Sequence, residues 1–474
     1  MDPLNSLPIR KRDRLRSFAT ATSFAIKQEI NKYYQPQMFP SRSMDTNVQR
    51  TDTLEIENIL KNTSADTIQP ECIIFPTYAC QHDPDEWRIQ VTGWTFAKPA
   101  SGRLDRFLLA AGRKYGGLAK DSQEDLHFSS LLNQFRCQIM RMTDVKLNLP
   151  LLKENFKEMF INSGETGRFE KEIFLKRHWI EIIKEKHLNI EARFQNNESY
   201  FTGFVDLIEP NGISVISDID DTIKVTDILD GRDAIIQNTF FRTAREVPYM
   251  SEIYREWAAK GAHIHYVSNS PWQIYSALSK FISSKQFPKG SIHLRAVSTQ
   301  DLIMGRPGKH KLEVIQKILR DFPHRKFILV GDSGEIDPEI YQQIYHEFPE
   351  QVIKIFIHDV SSQRAMNADR RASSMSSLSD FSYYTAIRKF ITKENIELRK
   401  KDSSTQLAMD AMATTEVPEE EQQMTDPEIP VVTKLEQFEQ RMERIASTMP
   451  PDVFTIFTLA SKLKLDDTVS KAFQ

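Results

Sequence analysis

From residue 212 onward the chain alternates short apolar runs with helical stretches, and this alternation restricts it to one class of architecture. The runs are ISVIS (213–217), HIHYV (263–267), SIHLRA (291–296), FILV (327–330) and VIKIFI (352–357), separated by stretches such as MSEIYREWAAKG and KLEVIQKILRDF. Strands buried on both faces read as continuous apolar segments, and crossover helices of this length join parallel neighbours. The expected core is therefore α/β, a parallel sheet with helices on its faces. Ligands of such sheets sit beyond the carboxyl ends of the strands, so the residues following each run decide the chemistry.

The remainder of the chain divides by texture. Residues 1–66 read as a basic N-terminal arm and linker, with Arg10, Lys11, Arg12, Arg14 and Arg16 ahead of an apolar pattern through Leu15, Phe18 and Ile26. A segment of this kind reads first as a solvated arm or a helix docked on the body, and as the alternative an interfacial helix for an anionic membrane surface. Residues 67–211 read as a β-rich accessory module with a helical insertion. ECIIFPTYA and EWRIQVTGWTFA flank the turn QHDPDE, and HLNIEARF and SYFTGFVDLI flank QNNE, two expected hairpins. Between them Leu104, Phe107, Leu108 and Ala111, then Phe128, Leu131, Leu132, Phe135 and Ile139, follow helical spacing. Residues 212–360 form the α/β domain. Residues 361–434, serine-rich and then acidic, read as a disordered or regulatory linker in which Arg370-Arg371-Ala372-Ser373 has the pattern of a kinase target. Residues 435–474 return to helical spacing at Leu435, Phe438, Met442 and Ile445 and read as a helical tail.

Composition narrows the function classes. Over 474 residues, 62 Lys+Arg against 65 Asp+Glu give a net charge of −3, with no global reason to bind nucleic acid. Cys72, Cys80 and Cys137 contain no CxxC pair and cannot build a disulfide framework. No apolar run approaches the ~20 residues of a membrane span, and MDPLNSLPIRKRDRLR lacks the apolar region of a secretory signal. The expectation is a cytoplasmic protein, soluble or peripherally bound to membrane.

Chemistry concentrates at the strand ends. The first strand runs into Asp218-Ile219-Asp220-Asp221-Thr222. Carboxylates this close repel one another unless a cation lies between them, and oxygen-only ligands point to a hard divalent metal. A calcium-binding EF-hand loop is excluded, because its required Gly and Glu positions hold Ile223 and Leu229. The fourth strand ends in Gly331-Asp332-Ser333-Gly334-Glu335-Ile336-Asp337, a second acidic group able to share that metal. The second ends in Ser268-Asn269-Ser270, small polar groups suited to phosphate oxygens. Lys309, His310 and Lys311 open a helix, where a cation opposes the helix dipole unless an anion lies nearby.

This set resembles the phosphatases of the haloacid dehalogenase superfamily, whose four motifs are matched in order by VISDIDDT, YVSNS, Lys311 and LVGDSGEID. SDIDDTIKVT, FFRTAREVPYM, YVSNSPWQ and VGDSGEIDPEIY, with FPTYA and VTGW upstream, resemble the fungal actin-patch phosphatidate phosphatase family over roughly residues 70–360. The resemblance implies a Rossmann-like sheet of the haloacid dehalogenase type. The segments 223–262 and 271–308, about forty residues each, leave little room for a cap.

It also implies roles. Asp218 would be the nucleophile, forming an aspartyl-phosphate, and Asp220 the general acid/base that separates a hydrolase from relatives of other chemistry. Ser268 and Lys311 would hold the phosphoryl oxygens, with Lys309 an open alternative to Lys311, and Thr222 and Asn269 would add substrate contacts. Mg²⁺ would be held by Asp218, the backbone carbonyl of Asp220 and Asp332, with Asp337 in support. The implied activity is hydrolysis of phosphatidate, at a membrane surface, to diacylglycerol. Partners among endocytic or cortical actin-patch proteins follow from the same resemblance. A phosphatase of proteins or soluble phosphomonoesters, and an adaptor of cortical sites with little catalysis, are the rival readings.

Overall fold

A computed structural model describes residues 69–376 and 432–474, apart from 99–108, 111, 115, 136, 153–158, 184–185, 196–198, 231–233, 235–236 and 296–307. The basic arm, the apolar positions from Leu104 to Leu108 together with Ala111, and the acidic stretch before 432 lie outside the described residues. The described residues within 1–359 and 445–474 make one compact unit, and those within 360–444 another. Among the described residues no helix is long and apolar enough to cross a membrane.

The first part of the larger unit is a nine-stranded sheet. It comprises β1 (Gln69–Ile74), β2 (Thr77–Asp83), β3 (Glu86–Lys98), β4 (Gln138–Ile139), β5 (Asp144–Asn148), β6 (Met159–Asn162), β7 (Arg168–Lys176), β8 (His187–Phe194) and β9 (Phe201–Leu207). Both expected hairpins form: β2 pairs antiparallel with β3, and β8 with β9. The helical spacing from Phe128 holds only over Gln123–Phe135, because Ile139 belongs to β4 and pairs with Phe96 of β3. Along β7, Phe169, Ile173 and Leu175 are buried while Phe174 faces outward, the period of two that the sequence shows.

The second sheet contains β10 (Ile213–Ser217), β13 (His263–Pro271), β14 (Gly290–Arg295), β15 (Lys326–Asp332), β16 (Val352–His358) and β17 (Phe454–Phe457), with the two-stranded ribbon β11 (Lys224–Val225) and β12 (Arg245–Glu246) beside it. Its order is β14-β13-β10-β15-β16-β17, every neighbouring pair parallel. This is the 3-2-1-4-5-6 order of a doubly wound sheet, whose direction of winding reverses between β10 and β15. All five residues of β10 are buried, which is why its sequence shows no polar alternation.

The sixth strand corrects the expectation of a wholly helical tail. FTIF pairs with Ile355–His358 of β16, and the short helices Ser461–Lys464 and Asp467–Ala472 follow it. A four-residue strand is too short for periodicity to reveal, and its neighbours carry the helical pattern. The serine-rich start of the region read as a linker is likewise helical, over Ser362–Ser376, so Ser373 lies within a helix. In that unit Asp369 accepts hydrogen bonds from the backbone N–H groups of Lys434 (2.9 Å) and Leu435 (3.0 Å), satisfying donors that the start of helix Lys434–Ala446 leaves open.

The two sheets of the larger unit share apolar packing. Phe75, Trp94 and Phe96 join the core of the parallel sheet, and the Trp94 indole stacks on Trp272 at 5.7 Å. Polar ties fix the same seam. Asp321, at the end of the helix Lys309–Asp321, accepts from Tyr78 Oη (2.7 Å) and from Arg88. The Arg325 guanidinium donates to the carbonyls of Glu209, Asn211 and Ile213, pinning the loop that enters β10.

Candidate active site

The carboxyl ends of β10, β13 and β15 meet at the point where the winding reverses. Asp218, the residue after β10, is 1% exposed, and its backbone N–H donates to Val330 of β15. Its carboxylate accepts from Lys311 Nζ at 2.8 Å and from Thr222 Oγ1 at 3.1 Å. Lys311 is fully buried and also donates to Asp337 Oδ1, while Glu335 lies 4.0 Å away. Lys309 instead points outward and pairs with Glu313 one turn along its helix. Of the two lysines that the sequence left open, Lys311 is the one whose amine reaches Asp218. Burial pushes the Lys311 amine down, but Asp218 and Asp337 outweigh it and hold the amine well above its ordinary range.

Asp218, Asp332 and Asp337 each offer a carboxylate oxygen to a common point, all within 4.8 Å of one another. Asp332 Oδ1 accepts from the N–H groups of Gly334 (2.7 Å) and Glu335 (3.1 Å). Its Oδ2 is buried with no hydrogen-bond partner among the described residues. Burial raises the carboxyls of Asp218 and Asp332 well above the usual range, and the neighbouring carboxylates add to it against the pull of Lys311. An orphaned buried oxygen beside an oxygen-only set, with more anionic than cationic groups, fits a hard divalent cation. Gly331 makes the close approach feasible, since a Cβ there would lie 2.4 Å from Asp337 Oδ2.

Asp220 faces a different set of donors. Oδ1 accepts from Thr226 Oγ1 (2.6 Å) and Lys224 Nζ (3.1 Å); Oδ2 accepts from Ser270 Oγ (2.7 Å) and, at 3.4 Å, from Ser268 Oγ. Burial alone would raise its carboxyl, yet Lys224 and the hydroxyl donors hold it below the usual carboxylate range. Asn269 donates to Glu335 (3.0 Å), tying the end of β13 to the loop after β15.

Asp221 corrects the idea that all three clustered carboxylates call for a cation. Its backbone is left-handed (φ 57°), and its side chain accepts from the N–H groups of Thr226, Asp227 and Ile228, each at 2.7 Å. It shapes the loop and takes no part in the acidic cluster. Lys224 and Thr226 were given no role from sequence, and Ser270 and Glu335 were read only as parts of the strand-end runs. The spacing Asp220-x₃-Lys224-x-Thr226 is the one local signal for two of them, and it becomes legible only once the β11 turn is known to fold them back.

Residues 213–359 match the family model described as the catalytic domain of phosphatidate phosphatase APP1. Over 162 residues the chain is 38% identical to the phosphatidate phosphatase APP1 of Saccharomyces cerevisiae, covering 33% of this chain and 27% of that protein. Over 163 residues it is 36% identical to an uncharacterized protein of Schizosaccharomyces pombe, with the same two coverages. The matched region thus spans 27% of the length of each of these curated relatives. Among solved structures, a sialyltransferase from Photobacterium damsela aligns with 46% of this chain and 38% of its own at 8% identity and a TM-score of 0.17, a likeness too slight to carry argument.

Proposed function

We propose that this chain, whose residues 213–359 form a catalytic domain of the phosphatidate phosphatase APP1 type, hydrolyses phosphatidate to diacylglycerol and phosphate. The observation that carries the reading is the buried ion pair of Lys311 with Asp218, set beside Asp332 and Asp337 at the reversal point of the sheet. In this reading the sheet is of the haloacid dehalogenase type with little or no cap, a form open to a head group still seated in a membrane.

Asp218 attacks phosphorus while Lys311 and Ser268 hold the phosphoryl oxygens, and Thr222 and Asn269 border the same space. The bond from phosphorus to the glycerol oxygen breaks, and Asp220 gives that oxygen its proton, leaving an aspartyl-phosphate and diacylglycerol. Asp220, now a carboxylate, takes a proton from water as the water oxygen attacks phosphorus. Phosphate leaves, and both aspartates return to their starting states. In the free chain Lys224 keeps Asp220 ionised, and a phosphate dianion arriving beside it raises the carboxyl toward its acid form. Mg²⁺, held by Asp218, the Asp220 carbonyl and Asp332 with Asp337 in support, would neutralise charge on the phosphoryl oxygens.

The test is phosphate release from phosphatidate in mixed micelles, with Mg²⁺ or with EDTA, run beside soluble phosphate esters. Turnover of phosphatidate that requires Mg²⁺ supports the reading. Turnover of soluble esters alone favours a different phosphomonoesterase, and no turnover of either favours an adaptor.

A further inference from the structure

The helix Gln123–Phe135 of the accessory module packs against a turn of the catalytic domain, Gln237–Phe241. His127 Nε2 donates to the Thr239 carbonyl at 2.8 Å, and the Phe128 ring stacks on Phe241 at 4.8 Å with an interplanar angle of 27°. Both rings are buried. Two glycines make room for the pair: a Cβ on Gly112 would run into the Phe128 ring, and one on Gly116 into the Phe241 ring. The accessory module therefore grips this turn by a hydrogen bond and a buried stack.

Inside the turn, Asn238 is buried with both ends of its amide engaged. Nδ2 donates to the Thr226 carbonyl and to Asp227 Oδ2, each at 2.9 Å, while Oδ1 accepts from Arg242 at 3.2 Å. Two acceptors on one side and a guanidinium on the other select one orientation of the amide. Thr226 in turn donates its hydroxyl to Asp220 Oδ1 at 2.6 Å and accepts from Lys224 at 2.7 Å. A continuous chain of contacts thus runs from His127 and Phe128 through Asn238 and Thr226 to Asp220.

We propose that Asn238 is a positioning residue for Asp220, held in place by the accessory helix; the inference rests on the reading of Asp220 as the acid/base. Asp220 must aim Oδ2 at the leaving oxygen, so Oδ1 has to be fixed. Thr226 fixes it, and Asn238 pins the Thr226 backbone. Without that donor the Thr226 carbonyl and the Asp227 carboxylate each lose a partner, and the loop can turn the Thr226 hydroxyl away. Proton transfer suffers from small displacements of the acid, whereas Lys311 and Ser268, on other elements, still hold the phosphoryl group.

The test uses the full chain, with kcat/KM measured on phosphatidate in mixed micelles and on 4-nitrophenyl phosphate. The first leaving group is an alkoxide that needs a proton; the second departs as a stable anion without one. Asn238→Leu fills the space and removes both donors. It should lower kcat/KM on phosphatidate by about tenfold or more, and on the aryl ester by less than about threefold. His127→Phe, which breaks only the grip on Thr239, should show a smaller loss with the same preference, and it decides alone should Asn238→Leu not fold. In both variants hydrogen exchange at residues 226–228 should accelerate relative to amides of β10. If the parent chain spares the aryl ester, a fall in kcat on phosphatidate at constant KM takes the place of that comparison. Equal losses on the two esters, undiminished turnover, or unchanged exchange at 226–228 would overturn the proposal while leaving the phosphatase reading intact. A parent chain that hydrolyses neither ester would overturn that reading, and the role of Asn238 with it.

Discussion

Lys224 Nζ lies 3.1 Å from Asp220 Oδ1, with both side chains buried at the turn that follows β10. Removing one member of a buried pair strands the other charge, which typically costs about 3–5 kcal/mol. Lys224→Met should therefore lower the urea midpoint strongly. Asp220→Asn strands the buried Lys224 ammonium in the same way and should also lower stability, while reducing turnover by about 10²–10⁴-fold. In the double variant the two stability losses should fall short of their sum. Strict additivity would show that the pair is not coupled.

Gly331 and Asp337 test the acidic cluster. Because a Cβ at residue 331 would fall 2.4 Å from Asp337 Oδ2, Gly331→Ala must push that carboxylate away from Asp332 and Lys311. The expected outcome is a higher Mg²⁺ concentration for half-maximal turnover. Asp332→Ala, which removes the orphaned Oδ2 itself, should abolish turnover or shift the requirement further. Hydrolysis that proceeds equally well in excess EDTA would show that these carboxylates hold no catalytic metal.

What the sequence revealed, and what it hid, follow from how local each determinant is. The five apolar strands were readable because parallel strands buried on both faces need continuous apolar runs, and the observed boundaries differ from those runs by a few residues at most. Asp218, Thr222, Asp332 and Asp337 were readable as residues at or just after strand ends and Lys311 as a cation at a helix start, and the sheet order brings them together. Asp221 was not separable from its neighbours, because only a left-handed backbone turns its carboxylate toward the N–H groups of residues 226–228. The strand Phe454–Phe457 was missed for a related reason. Four residues carry little periodic signal, and their partner β16 lies about a hundred residues earlier in the chain.

His293 and His265 predict an acid-sensitive seam. Ser291 Oγ lies 2.9 Å from His293 Nε2 and 2.8 Å from His265 Nδ1. Burial, reinforced by surrounding cations, lowers His293 from 6.5 to about 3 and holds His265 well below its ordinary value. Between these limits the unfolded chain binds protons that the folded chain refuses. Stability should therefore be intact above pH 6.5 and decline as pH falls toward about 3, by about 1.4 kcal/mol per pH unit for each such histidine. Urea unfolding at pH 6.5 and pH 5 should show a smaller decline in His293→Gln than in the parent chain. An identical decline would mean that His293 titrates normally.

Phe457 should connect the end of the chain to the loop around Asp221. Its ring is fully buried and stacks on His358 at 5.1 Å, with an interplanar angle of 26°. His358 Nδ1 in turn donates to the Asp221 carbonyl at 2.7 Å, and the Asp221 carboxylate holds the N–H groups of residues 226–228. Backbone bonds fasten the strand at both ends, from Ile355 N–H to Val453 and from Asp359 N–H to Phe457. Phe457→Ala should cost about 3–5 kcal/mol as a buried aromatic truncation. If the loss were only of packing, it would stop at the strand. Because His358 loses the surface that orients its ring, hydrogen exchange at residues 226–228 should also accelerate relative to amides of β10. Phe457→Leu, which refills most of the volume without a stacking face, should recover much of the stability while leaving that loop more exchangeable than in the parent chain. Exchange at 226–228 that follows global stability in both variants would show instead that the C-terminal strand closes the sheet edge and has no hold on the loop.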